Sequence, residues 1–190
     1  MLAASRWILW VVLACPLAIQ TWRYLVEIIY YGEYLHWTGE QSARLLIVTL
    51  AITPARRLFP TIRALRRLVA RRRDLGIATF LYAAMHTLAY LVKKSNFKVI
   101  LSEASEIGVL LGWLAFVVIL LLAATSNDYS VRRLGPHWKT LHRYVYGAAL
   151  LTFLHWILTA FDPTAGFIHL GVLIVLLALR AWPASAQVRH

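Results

Sequence analysis

Six stretches of mostly apolar residues, each near the length that crosses a bilayer, limit what this chain can fold into. They lie at 7–21, 42–59, 75–92, 107–125, 141–160 and 167–182. As a helix, ~20 such residues span ~30 Å of hydrocarbon. Lipid offers an open backbone no hydrogen bonds, so each spanning segment must satisfy its own peptide groups, and an α-helix does so. The expected fold is therefore all-α: a six-transmembrane-helix bundle forming one domain over 1–190. The hydrophobic content of 61% and mean hydropathy of +0.65 exceed what a soluble globule carries.

Lys and Arg outnumber Asp and Glu by 20 to 8. Such an excess can mark a nucleic-acid binder, but here the basic residues bunch between apolar runs. One group runs from Arg56 through Arg63, Arg66 and Arg67 to Arg71, Arg72 and Arg73, and a second holds Arg132, Arg133, Lys139 and Arg143. That pattern orients a membrane protein with its basic loops in the cytoplasm; the expected partner is the lipid bilayer, with no nucleic acid. Six spans then put both termini in the cytoplasm, in agreement with Arg180 and Arg189 near the end. The outer side would carry the segments 33–40, 93–106 and 162–166, where Lys93, Lys94 and Lys98 break the charge rule.

The first run is the least regular. Its continuation holds Gln20, Arg23 and Glu27, the last two spaced for an i,i+4 ion pair. Ala14-Cys15 faintly resembles a lipoprotein cleavage site, but Leu13, Pro16 and the single Arg6 before the run argue against cleavage. Cys15 is the only cysteine, which excludes an intrachain disulfide framework or a four-cysteine iron–sulfur site. No Gly-rich dinucleotide fingerprint is visible. Any redox centre needs other ligands, and its electrons must come from other proteins or lipid-soluble carriers.

Seven histidines remain. An imidazole in lipid is expensive unless it is paired, faces a cavity or ligates something, and a single one can instead hydrogen-bond across a helix interface. His86 and His155 sit in spans three and five, which run in the same direction. Counting ~1.5 Å per residue puts them at similar depth near mid-membrane, where two facing imidazoles could clamp one haem iron. His142 lies thirteen residues before His155, a rise of ~20 Å to the cytoplasmic end of the same helix and ~220° around it. A second haem there would need a bend or another partner, such as His137. His36 in an outer loop, His169 and His190 receive no role.

Arg72 and Arg73 stand at the entrance to span three. Orientation explains them, yet such a pair could also hold a phosphate, for instance that of flavin mononucleotide (FMN). Arg132, Arg133, Lys139 and Arg143 could receive haem propionates in the same way. The aromatics Tyr82, Tyr90, Tyr144, Tyr146 and Trp156 accompany the histidines, with packing the simpler explanation.

Several short stretches together resemble one family. They are Thr38-Gly39, Ile52-Thr53-Pro54, Arg72-Arg73-Asp74-Leu75-Gly76 leading to His86, Ala124-Thr125-Ser126, and the run from Leu134-Gly135-Pro136-His137-Trp138 to Tyr146, followed by His155. In order and spacing the chain resembles, over nearly its whole length, the MsrQ (YedZ) family, the haem-binding membrane subunits of the bacterial periplasmic methionine-sulfoxide reductase system. These belong to the ferric-reductase-like transmembrane domains. The resemblance implies b-type haem, one or two, in a six-helix bundle with His86, His142 and His155 as ligands. It implies electrons taken from quinol or a cytoplasmic flavin reductase, with FMN as a possible cofactor held by Arg72 and Arg73. Their destination would be a periplasmic molybdenum-cofactor reductase (MsrP-like) that repairs oxidised methionine. Where the family commonly has arginine after Thr-Gly, this chain has Glu40 and Gln41, and the nearest arginine is Arg44.

The expected protein is thus an electron conduit in the bacterial inner membrane without substrate chemistry of its own. Two other readings stay open: a ferric or cupric reductase domain, and a transporter whose histidines relay protons. The lack of paired acids in the spans weighs against the transporter.

Overall fold

The computed structural model describes residues 2–181; Trp182, Arg189 and His190 lie outside the described residues. Within that range ten helices form and no strand does. They are α1 (Leu2–Leu25), α2 (Tyr31–Leu58), α3 (Arg63–Ala70), α4 (Arg72–Lys94), α5 (Phe97–Glu103), α6 (Ile107–Ala124), α7 (Asp128–Leu134), α8 (Pro136–Arg143), α9 (Val145–Thr159) and α10 (Thr164–Ala181).

Two antiparallel pairs make the centre: α2 packs most extensively on α4, and α6 on α9. Helix α10 closes against α9 and α2, and α1 lies along α2 and α4. The main core joins Ala43, Leu46 and Leu50 of α2 to Ala149, Phe153 and Trp156 of α9 and Leu173 of α10. On α6 the large residues Leu110, Leu114, Val117 and Leu121 point outward, as lipid-facing side chains do and soluble surfaces rarely allow.

Among the described residues four helices are long and apolar enough to cross a membrane: Arg6–Leu25, Arg72–Lys94, Ile107–Ala124 and Thr164–Ala181. This is a multi-pass membrane protein. The other two expected spans differ from the sequence reading. The second begins not at Ser42 but at Tyr31, giving a helix of 28 residues; the segment expected as an outer loop is helical and carries His36. The fifth is divided. Helix α8 ends at Arg143, Tyr144 closes it with a tight N–H bond to the Leu141 carbonyl, and α9 has only 15 residues, a length of ~22 Å.

Local signals explain the other boundaries. Asn127 caps α7 by accepting from the Ser130 amide at 2.8 Å, a standard use of a short side chain at an N-cap. Gly135 adopts φ +51° and ψ −126°, which a residue with a Cβ resists, and Pro136 then starts α8 at a position where no N–H is needed. The segment 93–106 contains α5, capped by Asn96 and tied back to α4 through Lys94 and Glu103. The expected Arg23 to Glu27 pair does not form: α1 ends before Glu27, whose φ is +61°, and Arg23 bonds Gln20 instead.

One acid is buried in the bundle. Asp74 takes two bonds from Arg6, at 2.9 and 3.2 Å, with Arg71 3.8 Å away. A buried carboxylate stays charged only with such partners, and this one fastens α1 to the start of α4.

Candidate functional site

His86 on α4 and His155 on α9 come together, as their parallel spans require. Both line a cavity of about 650 Å³ at the end of the bundle away from the arginine-rich segments. The site lies off the midpoint of its helices: His155 stands four residues before the end of α9, ~6 Å along the axis.

Each ring is fixed in the same manner. His86 Nδ1 lies 2.8 Å from the Leu35 carbonyl on α2, and His155 Nδ1 lies 2.8 Å from the Gly108 carbonyl on α6. A carbonyl only accepts, so Nδ1 carries the proton in both rings and Nε2 is left with a free lone pair. This is the arrangement that orients a metal-ligating histidine through its other nitrogen.

Glycines make room for it. A Cβ on Gly39, one turn after Leu35, would meet His86 Nδ1 at 2.9 Å; one on Gly112, one turn after Gly108, would meet His155 Nδ1 at 2.7 Å. The two halves of the site thus repeat one design, a histidine laid against a glycine and bonded to the carbonyl four residues earlier.

The rings face each other with perpendicular planes, 86° apart. Their ring centres stand 6.3 Å apart, on the wall of one cavity. Trp156 Nε1, buried beside the same cavity, has no hydrogen-bond partner. A mostly apolar cavity, with Glu40, Lys94 and Glu103 also on its wall and two imidazoles whose Nε2 atoms are free, suits a haem.

His142 is not part of this pair. It lines a second cavity, about 610 Å³, at the arginine-rich end, together with Arg72, Arg73, Lys139, Arg143 and Arg180. Its ring stacks on Trp138 at 3.9 Å, and its Nε2 lies 3.2 Å from Thr125 Oγ1. That hydroxyl already donates to the Leu121 carbonyl, so it accepts from Nε2–H, and Nδ1 is the nitrogen left over. The break at Tyr144 is the bend that separates His142 from the line of α9. His137 is exposed and does not line the cavity.

The second cavity is strongly cationic, and no acid lines it. Arg72 Nε and Arg180 Nη1 are buried without partners. Arg72 Nη1 reaches Thr53 Oγ1 at 3.1 Å, and Arg180 lies over the Tyr146 ring. Unpaired buried guanidinium nitrogens around a cavity fit a phosphate or carboxylate ligand. Arg73 turns the other way, to Asp128, and its hydrogen bond holds that exposed carboxyl below the usual carboxylate range.

Sequence reasoning passed over several residues. Gly108 and Gly112 form a small-xxx-small spacing that signals close helix approach. His36, given no role, faces Trp156 at 6.1 Å and lies beside Glu40 on the wall of the first cavity. Arg44, the arginine displaced relative to the family pattern, is bonded to Glu40 at 2.6 Å. Of the aromatics, Tyr90 and Trp156 line the first cavity and Tyr146 the second, whereas Tyr82 bonds the Leu13 carbonyl on α1 and Tyr144 is exposed.

Residues 38–153 match the family described as the ferric reductase like transmembrane component. Among curated relatives, the protein-methionine-sulfoxide reductase heme-binding subunit MsrQ of Rhizobium meliloti (strain 1021) is 37% identical over 155 residues, covering 80% of this chain and 68% of the relative. MsrQ of Xanthomonas campestris pv. campestris (strain B100) is also 37% identical, over 80% and 69% of the two chains. MsrQ of Agrobacterium fabrum is 33% identical over 78% and 68%. No solved structure matches the chain significantly.

Proposed function

Since this chain belongs to the ferric-reductase-like transmembrane family and, within it, to the MsrQ group, we propose that it is a haem-binding electron conduit of a methionine-sulfoxide reductase system. The observation that carries this reading is the pair His86 and His155, each bonded through Nδ1 to a carbonyl and left with Nε2 free, lining one cavity with ring centres 6.3 Å apart.

On this reading His86 and His155 would hold one b-type haem, and His142 is a candidate ligand for a second at the arginine-rich end. Such a haem would supply one-electron transfer. The protein's own residues do the rest. The Leu35 and Gly108 carbonyls fix the tautomer and orientation of each ring; Gly39 and Gly112 let the rings lie back against their helices; Phe116, Ile119 and Ala115 keep water from the space between them.

The family supports finer assignments, which remain part of this reading: six spans, with the arginine-rich end and both termini on the cytoplasmic side of a bacterial inner membrane. Electrons enter from quinol or a cytoplasmic flavin reductase and leave to a periplasmic molybdenum-cofactor reductase of the MsrP type. Arg72, with Arg73 at the rim, is the candidate holder of an FMN phosphate or a haem propionate, supported by the unpartnered Arg72 Nε.

The test is an absorption spectrum of the detergent-purified chain, oxidised against reduced, for wild type, His86→Ala and His155→Ala. A low-spin bis-histidine spectrum lost in both variants is expected. A colourless wild type sinks the cytochrome reading, and an unchanged spectrum in both variants sinks the ligand assignment.

A further inference from the structure

The short helix α3 reaches the second cavity only at its C-terminal end, through Val69 and Ala70, and the rest of it is sharply two-faced. Its eight residues are RALRRLVA. At ~100° per residue, Arg63, Arg66 and Arg67 share one side, and Leu65, Leu68 and Val69 the other. None of its residues is fully buried, and the three arginines are exposed. Just before it, Leu58, Phe59 and Ile62 expose large apolar side chains. A helix of this kind is not part of a packed core; it belongs at a boundary between apolar and aqueous phases.

Its charges are uncompensated. Among the described residues, Arg56, Arg63, Arg66 and Arg67 have no acidic partner. Asp74, the acid next along the chain, is already taken by Arg6 and Arg71. A soluble acidic protein could match the arginines, but it would leave Leu58, Phe59 and Ile62 and the half-buried Leu65 and Leu68 facing water. An anionic bilayer surface matches both at once: headgroup phosphates meet the guanidinium groups while the apolar side enters the acyl boundary.

We infer that α3, with the turn 58–62 before it, is an in-plane binding surface for anionic phospholipid at the arginine-rich end of the bundle. Its position suits that role. It joins the ends of α2 and α4, so a lipid held there would fix where these two helices meet the interface.

The test is lipid binding to the full-length chain in detergent, read by native mass spectrometry during titration with phosphatidylglycerol and, separately, phosphatidylcholine. Phosphatidylglycerol is expected to be held preferentially. Each arginine near an anionic surface contributes about fivefold, ~1 kcal/mol, so R63Q/R66Q/R67Q should weaken phosphatidylglycerol binding on the order of a hundredfold. R132Q/R133Q, which removes charge from the same end, should leave it within a few-fold of wild type. L65S/L68S should weaken binding with all charges present, and R63K/R66K/R67K should keep most of it.

The inference fails if the glutamine triple variant binds phosphatidylglycerol like wild type, or if R132Q/R133Q weakens binding equally, because then only diffuse charge acts. It also fails if inorganic phosphate competes at concentrations like those of the lipid, which would mean a phosphate site. A triple variant that keeps lipid but loses electron input from a soluble reductase would assign the surface to a protein. Unchanged helicity by circular dichroism is required of every variant scored; if the glutamine variant fails to fold, L65S/L68S and the lysine variant decide.

Discussion

Replacing Gly112 by alanine sets two effects of opposite sign against each other. In a helix interior, Gly→Ala ordinarily stabilises by about 0.5–1 kcal/mol. At Gly112 the new Cβ would lie 2.7 Å from His155 Nδ1, 2.8 Å from Cε1 and 3.0 Å from Cγ. Ordinary contact begins at 3.4 Å, so the ring must retreat by about 0.7 Å or tilt. The backbone of α6 cannot yield without parting from α9, so the imidazole moves. Its 2.8 Å bond to the Gly108 carbonyl is then lost or bent, a cost of about 0.5–1.5 kcal/mol. Nε2 then shifts relative to His86, and loss of such a supporting bond typically lowers metal-site affinity or activity 10- to 100-fold. Gly112→Ala should therefore lower haem content or shift its midpoint potential, while the protein without haem melts close to wild type, since the helix gain and the lost bond nearly offset each other. Gly171→Ala, where nothing lies within 4 Å, is the control and should change only the melt, upward. The assays are haem per protein, the reduced-minus-oxidised spectrum and a potentiometric titration. A Gly112→Ala protein with full haem, wild-type spectrum and unchanged potential would refute the reasoning, since it would mean that the ring against α6 is not the one that holds iron.

Three further outcomes are expected. Asp74→Asn removes the charge that holds Arg6 and Arg71 at the α1–α4 junction and should cost about 1–3 kcal/mol, seen as a lower melting temperature and as earlier protease cleavage near α1. Arg72→Gln should weaken binding of a phosphate-bearing or propionate-bearing ligand in the second cavity while leaving the His86–His155 haem spectrum as in wild type, because the two groups line separate cavities. The Glu103 carboxyl, held below its ordinary value first by its bond to Lys94 and then by the Tyr90 hydroxyl, ties α5 to α4. A depressed carboxyl stabilises the folded form above its ordinary pKa and loses that contribution as pH falls through the lowered value. Protease sensitivity of 97–103 should thus stay flat from neutral pH to about 5 and rise only in stronger acid, and Glu103→Gln should make the segment sensitive at pH 7.

The sequence by itself determined the class of fold, because hydrophobicity over a bilayer's length and the clustering of arginine between apolar runs are local properties that packing does not revise. It also brought out His86 and His155 as a pair, since helical rise alone puts two residues on parallel spans at one depth. Tertiary structure decided what rise and composition cannot: which way each ring turns, which nitrogen stays free, and where a helix stops. The glycine cradles depend on how closely α2 approaches α4 and α6 approaches α9, a distance set by side chains from both helices. The break at Tyr144, which sends His142 to a second cavity with Arg72 and Arg180, falls just after His142 and Arg143, where polar residues at the start of an apolar run read as the interfacial end of one helix and not as a bend in it. Arg180 joins Arg72 only because α10 folds back over α2, a contact between residues far apart in the chain that no periodicity records.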